Sequence, residues 1–199
     1  MRVAIVGAGY AGMAAAAELA ARGIPVTVFE ASRTLGGRAR RVESHGYPLD
    51  NGQHILVGAY VELLRLMRLV GANPDELLER RPLSLVFPGR MQLAAPRLPA
   101  PLHLAVALLT ARGLSFGARL AAMDFMRQMK RGNFRLERDI TFAELMALHG
   151  QHESAIRYLW QPLCSSALNT PPQEASAQIF LNVLRDSLAA AREASDLLL

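Results

Sequence analysis

The sequence lacks most of the features that mark secreted, metal-binding or membrane-spanning proteins. Its 199 residues include one cysteine, Cys164, so there is neither a disulfide framework nor a CxxC metal pair, and we predict no metal site. The apolar runs are shorter than the ~20 residues that a membrane-spanning helix requires. The longest, around residues 100–111, also contains a proline and a histidine. We therefore expect a protein of the reducing cytoplasm.

The sequence also lacks a block of acidic or basic residues. The net charge is +5, and nearly all of the positive charge is arginine. A basic balance can indicate nucleic acid or anionic lipid as a partner. Here the arginines are scattered along helix-like segments without a basic-aromatic motif, so we expect a solvated surface and no nucleic-acid partner. With 51% hydrophobic residues, the chain can bury a core.

A strand-like run followed by a glycine-rich turn opens the chain. Residues 2–6 (RVAIV) predict a strand that is buried on both faces. The GxGxxG motif of residues 7–12, a helical pattern over about 11–21 and a second β-rich run over 25–29 follow, and Glu30 ends that run. This order predicts a βαβ unit that binds a dinucleotide, the alternative being a βαβ unit without a ligand.

Diphosphate binding gives each residue of this motif a physical role. Gly7 permits the tight turn, Gly9 lets the backbone approach a pyrophosphate, and Gly12 lets the helix pack closely on the strand. The pyrophosphate would lie on exposed N–H groups at the positive end of the helix. Glu30, 18 residues after Gly12, is placed to accept hydrogen bonds from a ribose diol. Its negative charge disfavours a 2′-phosphate on that ribose.

A second glycine motif narrows the choice of dinucleotide ligand. Residues 31–40 (ASRTLGGRAR) contain Gly36, Gly37 and Arg38 soon after the acidic residue. The combination GxGxxG, Glu and GGR resembles the flavoprotein superfamily of amine oxidases and phytoene-type desaturases. That resemblance implies that FAD is the cofactor, and that Gly36, Gly37 and Arg38 line its pyrophosphate and ribityl region.

Two longer strings resemble one family within this superfamily. They are DNGQHILVGAY at residues 50–60 and LWQPLC at 159–164, the latter followed by ALNTPP at 167–172 and Ala175-Ser176. These strings are similar to the hydroxysqualene dehydroxylases, the squalene-associated FAD-dependent desaturases of bacterial hopanoid pathways. In the superfamily, the stretch after GGR runs beneath the flavin ring. We therefore expect the polar cluster of residues 50–54 to meet the isoalloxazine rather than to form a solvent-exposed turn.

The family resemblance implies a reaction. Reduced FAD would deliver hydride while hydroxysqualene, a long isoprenoid, loses its hydroxyl to give squalene. The leaving oxygen needs an acid, for which His54 is the candidate and Asp50 a weaker one. A role for His54 in supporting the flavin or the backbone is the alternative. A phytoene desaturase-like or amine oxidase-like flavoenzyme, or a truncated fragment that binds nucleotide without catalysis, also remains open.

The remaining pattern predicts an α/β protein with a Rossmann-like FAD-binding βαβ unit and a largely helical, partial substrate domain. We place the first portion at residues 1–90 and the second at 91–199. A helix precedes a turn at 71–75, with Asp75 as a cap for the next helical turn, and residues 84–92 predict a hairpin about Pro88-Gly89. Helical patterns cover about 102–111, 115–130, 141–149, 153–160 and 173–193.

Two further expectations concern contact with a membrane and the part of the full-length protein that this chain represents. The apolar segment 101–129 carries interspersed arginines, which predicts either an ordinary helix pair of the core or a peripheral contact at the inner face of the membrane. The superfamily's FAD domain is discontinuous, and residues 195–199 end in mid-pattern. We therefore expect the chain to be an amino-terminal half, with doubtful activity when alone.

Overall fold

The computed structural model describes residues 1–51 and 55–199. The chain forms two compact units. The first comprises Met1–Leu56, Tyr60–Arg80 and Leu198–Leu199, and the second comprises Val57–Ala59 and Arg81–Leu197. At three of the four points where the chain passes between the units it forms strands of two residues each, at Leu56–Val57, Arg80–Arg81 and Leu197–Leu198.

The first unit begins with the predicted βαβ arrangement. Strand β1 (Val3–Val6) and strand β2 (Val26–Phe29) are parallel, with Val3 opposite Val26. Helix α1 (Tyr10–Ala21) connects them, as a parallel pair requires, because a tight turn cannot join parallel strands. The strands are rich in β-branched residues and the helix is rich in alanine, so local preference and fold agree.

The burial of β1 differs from the prediction. Ile5 faces α1, since a Cβ built on Gly12 would lie 3.4 Å from Ile5 Cγ2. Ala4 and Val6 point the other way and are exposed, Val6 to 89%. The expectation of burial on both faces is therefore wrong for the chain as described. The sheet has two strands, and α1 covers one of its faces.

A hairpin and two helices complete the first unit. Strands β3 (Arg41–Ser44) and β4 (Tyr47–Asp50) are antiparallel. Helix α2 (Val61–Leu69) precedes helix α3 (Pro74–Leu77). The predicted cap, Asp75, is wrong: the side chain of Asn73 caps α3 by accepting a hydrogen bond from the Asp75 N–H at 3.2 Å. Asn is as good a helix cap as Asp, and Pro74 fits the first helical position after it.

The second unit contains a hairpin followed by helices. Strands β5 (Ser84–Phe87) and β6 (Met91–Ala94) are antiparallel about the predicted Pro88-Gly89 turn, which confirms the hairpin. The helices are α4 (Leu102–Thr110), α5 (Phe116–Arg131), α6 (Phe142–Leu148), α7 (Glu153–Ala155), α8 (Gln161–Leu168) and α9 (Ala177–Val183). Single turns of 3-10 helix occupy Gly37–Ala39 and Arg192–Ser195, and π-helical turns occupy Ile156–Trp160 and Leu184–Leu188.

Two helix boundaries differ from the sequence pattern. Helix α8 lies outside the predicted helical ranges, which end at residue 160 and resume at 173. Pro162 lies in the first turn of α8, where no N–H is needed. The last helix begins at Ala177 rather than near 173, because Ser176 caps it by accepting a hydrogen bond from Ile179 N at 3.1 Å. No helix within residues 1–51 and 55–199 is long and apolar enough to cross a membrane.

Aromatic side chains form the centre of the second unit. The rings of Phe125 and Trp160 lie 5.2 Å apart, edge to face. The indole N–H of Trp160 donates to Gln151 Oε1 at 2.8 Å, and Gln151 Nε2 donates to the carbonyl oxygen of Ala121 at 3.1 Å. Cys164 is fully buried in the same core, and this burial raises the pKa of its thiol.

His103 of α4 is also fully buried, and neither of its ring nitrogens has a hydrogen-bond partner in the part of the chain that the structure describes. Burial lowers the pKa of His103, and the positive charge of Arg192 lowers it further. The imidazole is therefore neutral in the folded chain near pH 7.

Candidate functional site

The two glycine-rich turns of the first unit lie against each other. Gly36 N donates to the carbonyl oxygen of Ala8 at 2.8 Å. A Cβ built on Gly37 would lie 3.2 Å from Gly9 Cα, so the two main chains are in contact. Gly36 and Gly37 have φ values of 105° and 61°, a region that favours glycine. The structure thus brings together two motifs that are separated in the sequence.

The first glycine turn leaves the main-chain N–H groups at the start of α1 without a capping side chain. Gly7 has φ 96° and donates from its N–H to the carbonyl oxygen of Phe29 at 2.7 Å. Gly9 precedes the helix and supplies no side-chain cap, and the first turn carries no acidic residue. The first N–H groups of a helix lack partners within the helix and carry partial positive charge. This end of α1 is therefore suited to an anionic group.

Gly12 is required by packing. A Cβ built on Gly12 would lie 1.9 Å from the carbonyl oxygen of Gly7 and 3.0 Å from its carbonyl carbon. Both atoms belong to the backbone of the first turn, so neither can rotate away. The absence of a side chain lets α1 approach the end of β1, as expected from the sequence.

Glu30 is held at the end of β2 beside this turn. Its Oε2 accepts a hydrogen bond from Ala8 N at 2.7 Å, and its Oε1 accepts one from Ser32 N at 2.8 Å. These two hydrogen bonds are the main reason that the pKa of Glu30 is lowered, so the carboxylate is ionised at neutral pH. Each oxygen retains accepting capacity, which a ribose hydroxyl could use.

Two arginines accompany the second turn. Arg38 lies in the 3-10 turn and is exposed, without an ion pair in the described part of the chain. Arg40 was not predicted. Its Nη1 donates to the carbonyl oxygen of Gly37 at 3.2 Å, and its charge contributes to the lowered pKa of Glu30. The one sequence signal was its place two residues after Arg38, which does not reveal where its side chain points.

The polar segment that follows is joined to the second turn by Asn51. Asn51 N donates to the carbonyl oxygen of Arg40 at 3.0 Å, and Asn51 Nδ2 donates to that of Arg38 at 3.3 Å. Asp50 ends β4 and is exposed. The predicted acid His54, together with Gly52 and Gln53, lies outside the described residues.

Comparison with known proteins identifies the family and its relatives. Residues 10–194 match the model of the family described as flavin containing amine oxidoreductase. The zeta-carotene desaturase of Synechocystis is 30% identical over 210 residues, which cover 98% of this chain and 43% of that protein. A 4,4'-diapophytoene desaturase of Staphylococcus aureus is 33% identical over 87 residues, covering 44% of this chain and 17% of the relative.

Solved structures agree on the fold. A Pyrococcus furiosus protein superposes with a TM-score of 0.62 at 20% identity, over 100% of this chain and 45% of the other. A putrescine oxidase variant superposes with a TM-score of 0.60 at 20% identity, over 94% of this chain and 41% of the other. The predicted α/β fold is confirmed. The chain spans under half the length of these relatives.

The family match covers most of the chain and includes α1 and the second glycine turn. It confirms FAD as the predicted cofactor and confirms the resemblance to the superfamily of amine oxidases and phytoene-type desaturases. The chain belongs to the family of flavin-containing amine oxidoreductases.

Proposed function

We propose that the protein is an FAD-dependent oxidoreductase that acts on a long isoprenoid, and that its reaction is the reductive dehydroxylation of hydroxysqualene to squalene. The observation that carries the oxidoreductase proposal is the contact between the two glycine turns beside the ionised Glu30. The isoprenoid class is supported by two relatives whose names refer to zeta-carotene and diapophytoene. The dehydroxylation is supported by the strings at 50–60 and 159–172.

The residues present fit the adenosine diphosphate part of FAD. The free N–H groups at the start of α1 would meet the diphosphate, and the contact of Gly37 with Gly9 would bring the second turn beside it. Glu30 would accept hydrogen bonds from the ribose, and exposed Arg38 would supply positive charge. When bound and reduced, FAD supplies the hydride that the reaction requires.

The departing hydroxyl requires a proton, because water is a far better leaving group than hydroxide. We assign this proton to His54, and Asp50 is the second candidate. Both follow the second glycine turn in the chain, where Asn51 already ties the segment to the main chain of Arg38 and Arg40. A dry, apolar channel for the isoprenoid would strengthen this proton transfer.

Glu30→Gln is expected to weaken the binding of FAD and of ADP by about tenfold, because a charge-assisted hydrogen bond is replaced by a neutral one. Glu43→Gln, which alters an exposed glutamate of β3, is the matched control and should leave affinity unchanged. Isothermal titration calorimetry measures both. Equal affinities of the two variants would remove Glu30 from the binding site.

The same substitution has a consequence for pH. Because folding lowers the pKa of Glu30, its contribution to stability is present above the unfolded pKa and is lost as pH falls through the lowered folded value. Glu30→Gln should therefore flatten the acid limb of the unfolding curve relative to the Glu43→Gln control.

The reaction is tested with a protein that contains this chain, reduced flavin and hydroxysqualene under anaerobic conditions. We expect flavin reoxidation, seen by its absorbance, together with squalene, seen by mass spectrometry. His54→Gln should slow reoxidation in a single turnover by about a hundredfold or more, the usual scale of general acid catalysis. An unchanged rate would eliminate His54 as the acid.

A desaturase is the second candidate, favoured by the 30% identity to zeta-carotene desaturase. Oxidised flavin that is reduced by phytoene or zeta-carotene, without any reaction of reduced flavin with hydroxysqualene, would favour it. Reduction by an amine would indicate an amine oxidase instead. Bound flavin without turnover of any of these substrates would favour a nucleotide-binding fragment.

A further inference from the structure

One segment of the second unit is free of acidic residues. Between Glu79 and Asp124 the sequence contains no aspartate or glutamate, although the whole chain has 17. The part of this segment that belongs to the second unit contains five arginines: Arg81, Arg90, Arg97, Arg112 and Arg119. The sequence of this segment therefore lacks the alternation of sign that an ordinary solvated helix pair shows.

Helix α4 in this segment exposes an apolar stripe. Leu102 is 53% exposed and Leu109 is exposed as well, while Ala105 and Val106 between them are half-buried. These four residues have the spacing of one helix face. Residues 103, 107 and 108, on the other side of the helix, are buried. The stripe is thus separate from the face that α4 gives to the core.

Helix α5 continues the exposed apolar surface. Phe116 is 67% exposed, and Leu120, one turn later, is also exposed. Arg119, between them, donates from Nη1 to the carbonyl oxygen of Leu109 at 2.8 Å and from Nε to that of Leu114 at 3.0 Å. These bonds join the end of α4 to the beginning of α5, so Leu109, Phe116 and Leu120 lie at this end of the pair.

Two arginines accompany this surface. Arg112, in the turn between the helices, is fixed by two main-chain hydrogen bonds with Gln92, of 2.8 and 3.1 Å. A Cβ built on the neighbouring Gly113 would lie 1.8 Å from the carbonyl oxygen of Arg90, so Arg90 lies beside the same turn. Arg90 and Arg112 are exposed and form no ion pair with any residue that the structure describes.

We propose that the α4–α5 patch, consisting of Leu102, Leu109, Phe116, Leu120, Arg90 and Arg112, binds the surface of an anionic membrane. The apolar side chains enter the boundary between headgroups and acyl chains. The two guanidinium groups bind lipid phosphates, because neither group forms an ion pair with a carboxylate of the described residues. This interaction goes beyond the proposed flavin chemistry and needs no bound cofactor.

The charge of the patch decides between a membrane and a second copy of the chain. Two copies that met through this patch would bring Arg90 and Arg112 near their equivalents without a neutralising acid, which is unfavourable. An anionic bilayer offers apolar depth and negative charge together. A protein with an acidic, apolar groove is another occupant, and failure of the chain to bind anionic vesicles would favour it.

The test measures co-sedimentation of the chain with two kinds of vesicle, pure phosphatidylcholine and equal parts of phosphatidylcholine and phosphatidylglycerol. We expect binding to the anionic vesicles that weakens as salt is raised. The double variant Arg90→Gln/Arg112→Gln should bind about 25-fold more weakly, at about fivefold for each arginine. Phe116→Gln and Leu109→Gln should each reduce binding about tenfold.

Two matched variants of the second unit serve as controls. Leu148→Gln alters a leucine of α6 that is 73% exposed, and Arg135→Gln alters an exposed arginine outside the patch. Both should bind anionic vesicles as wild type does. In addition, the fluorescence of Phe116→Trp should shift to shorter wavelength with anionic vesicles and stay unchanged with phosphatidylcholine alone.

Three results would overturn the proposal. They are no binding to anionic vesicles, equal binding to both kinds of vesicle, and equal loss of binding in patch and control variants. A decrease in oligomer mass on Phe116→Gln without any change in vesicle binding would assign the patch to self-association. Since ADP and FAD titrations do not involve vesicles, failure here leaves the cofactor proposal untouched, and the converse also holds.

Discussion

Replacing Gly12 with alanine is expected to abolish FAD binding and to unfold the beginning of the first unit. The new Cβ would lie 1.9 Å from the carbonyl oxygen of Gly7, so α1 would have to move off the end of β1. Overpacking usually costs about 1–3 kcal/mol. We expect at least the upper value, because the opposing atoms are backbone. FAD titration and thermal unfolding followed by circular dichroism measure the two effects.

Gly117→Ala is the matched control for this substitution. Gly117 lies in helix α5, its added Cβ would meet no atom within 4 Å, and its φ is not positive. Alanine is favoured over glycine in helices by up to about 1 kcal/mol, so this variant should be as stable as wild type or slightly more stable. Normal FAD affinity in Gly12→Ala would show that the close approach of α1 to the first turn is not needed for binding.

Trp160→Ala is expected to lower the free energy of unfolding of the second unit by about 3–5 kcal/mol, the usual cost of removing a large buried aromatic side chain. Trp160 is 1% exposed and packs edge to face on Phe125. Urea unfolding, followed by far-ultraviolet circular dichroism because the single tryptophan is lost, measures the change.

Trp160→Phe separates packing from hydrogen bonding at this site. Phenylalanine keeps much of the volume but leaves Gln151 Oε1 without the indole donor. The cost of an unsatisfied buried acceptor is about 1–3 kcal/mol, so this variant should lie between wild type and Trp160→Ala. Phe116→Ala, at an exposed aromatic, should change stability little. A loss below about 1 kcal/mol for Trp160→Ala would contradict the central role of Trp160 in this core.

The βαβ unit of residues 3–29 was predictable because its signals are local. Strand, glycine turn, helix and strand follow one another in the order in which they pack. The Pro88-Gly89 hairpin is local for the same reason. The pair of glycine turns required more, since the contact of Gly9 with Gly37 joins segments whose proximity depends on the fold.

Other features depended on tertiary context and were missed. Helix α8, which has Pro162 in its first turn, lies outside the predicted helical ranges. The exposure of Val6 depends on how many strands and helices cover β1, which its own apolar sequence does not state. The hydrogen bond from Arg40 to the carbonyl oxygen of Gly37 depends on the rotamer of Arg40. An arginine has many rotamers, and its sequence position selects none of them.

Because Cys164, the single cysteine of the chain, is buried, the reactivity of its thiol reports on opening of the second unit. A reagent in solution reaches the sulfur only when the core around α8 opens, and the raised pKa keeps the thiol protonated and unreactive until then. The rate of labelling in native buffer therefore reports how often this region opens. The same measurement on intact cells would follow opening of this core without purification of the protein.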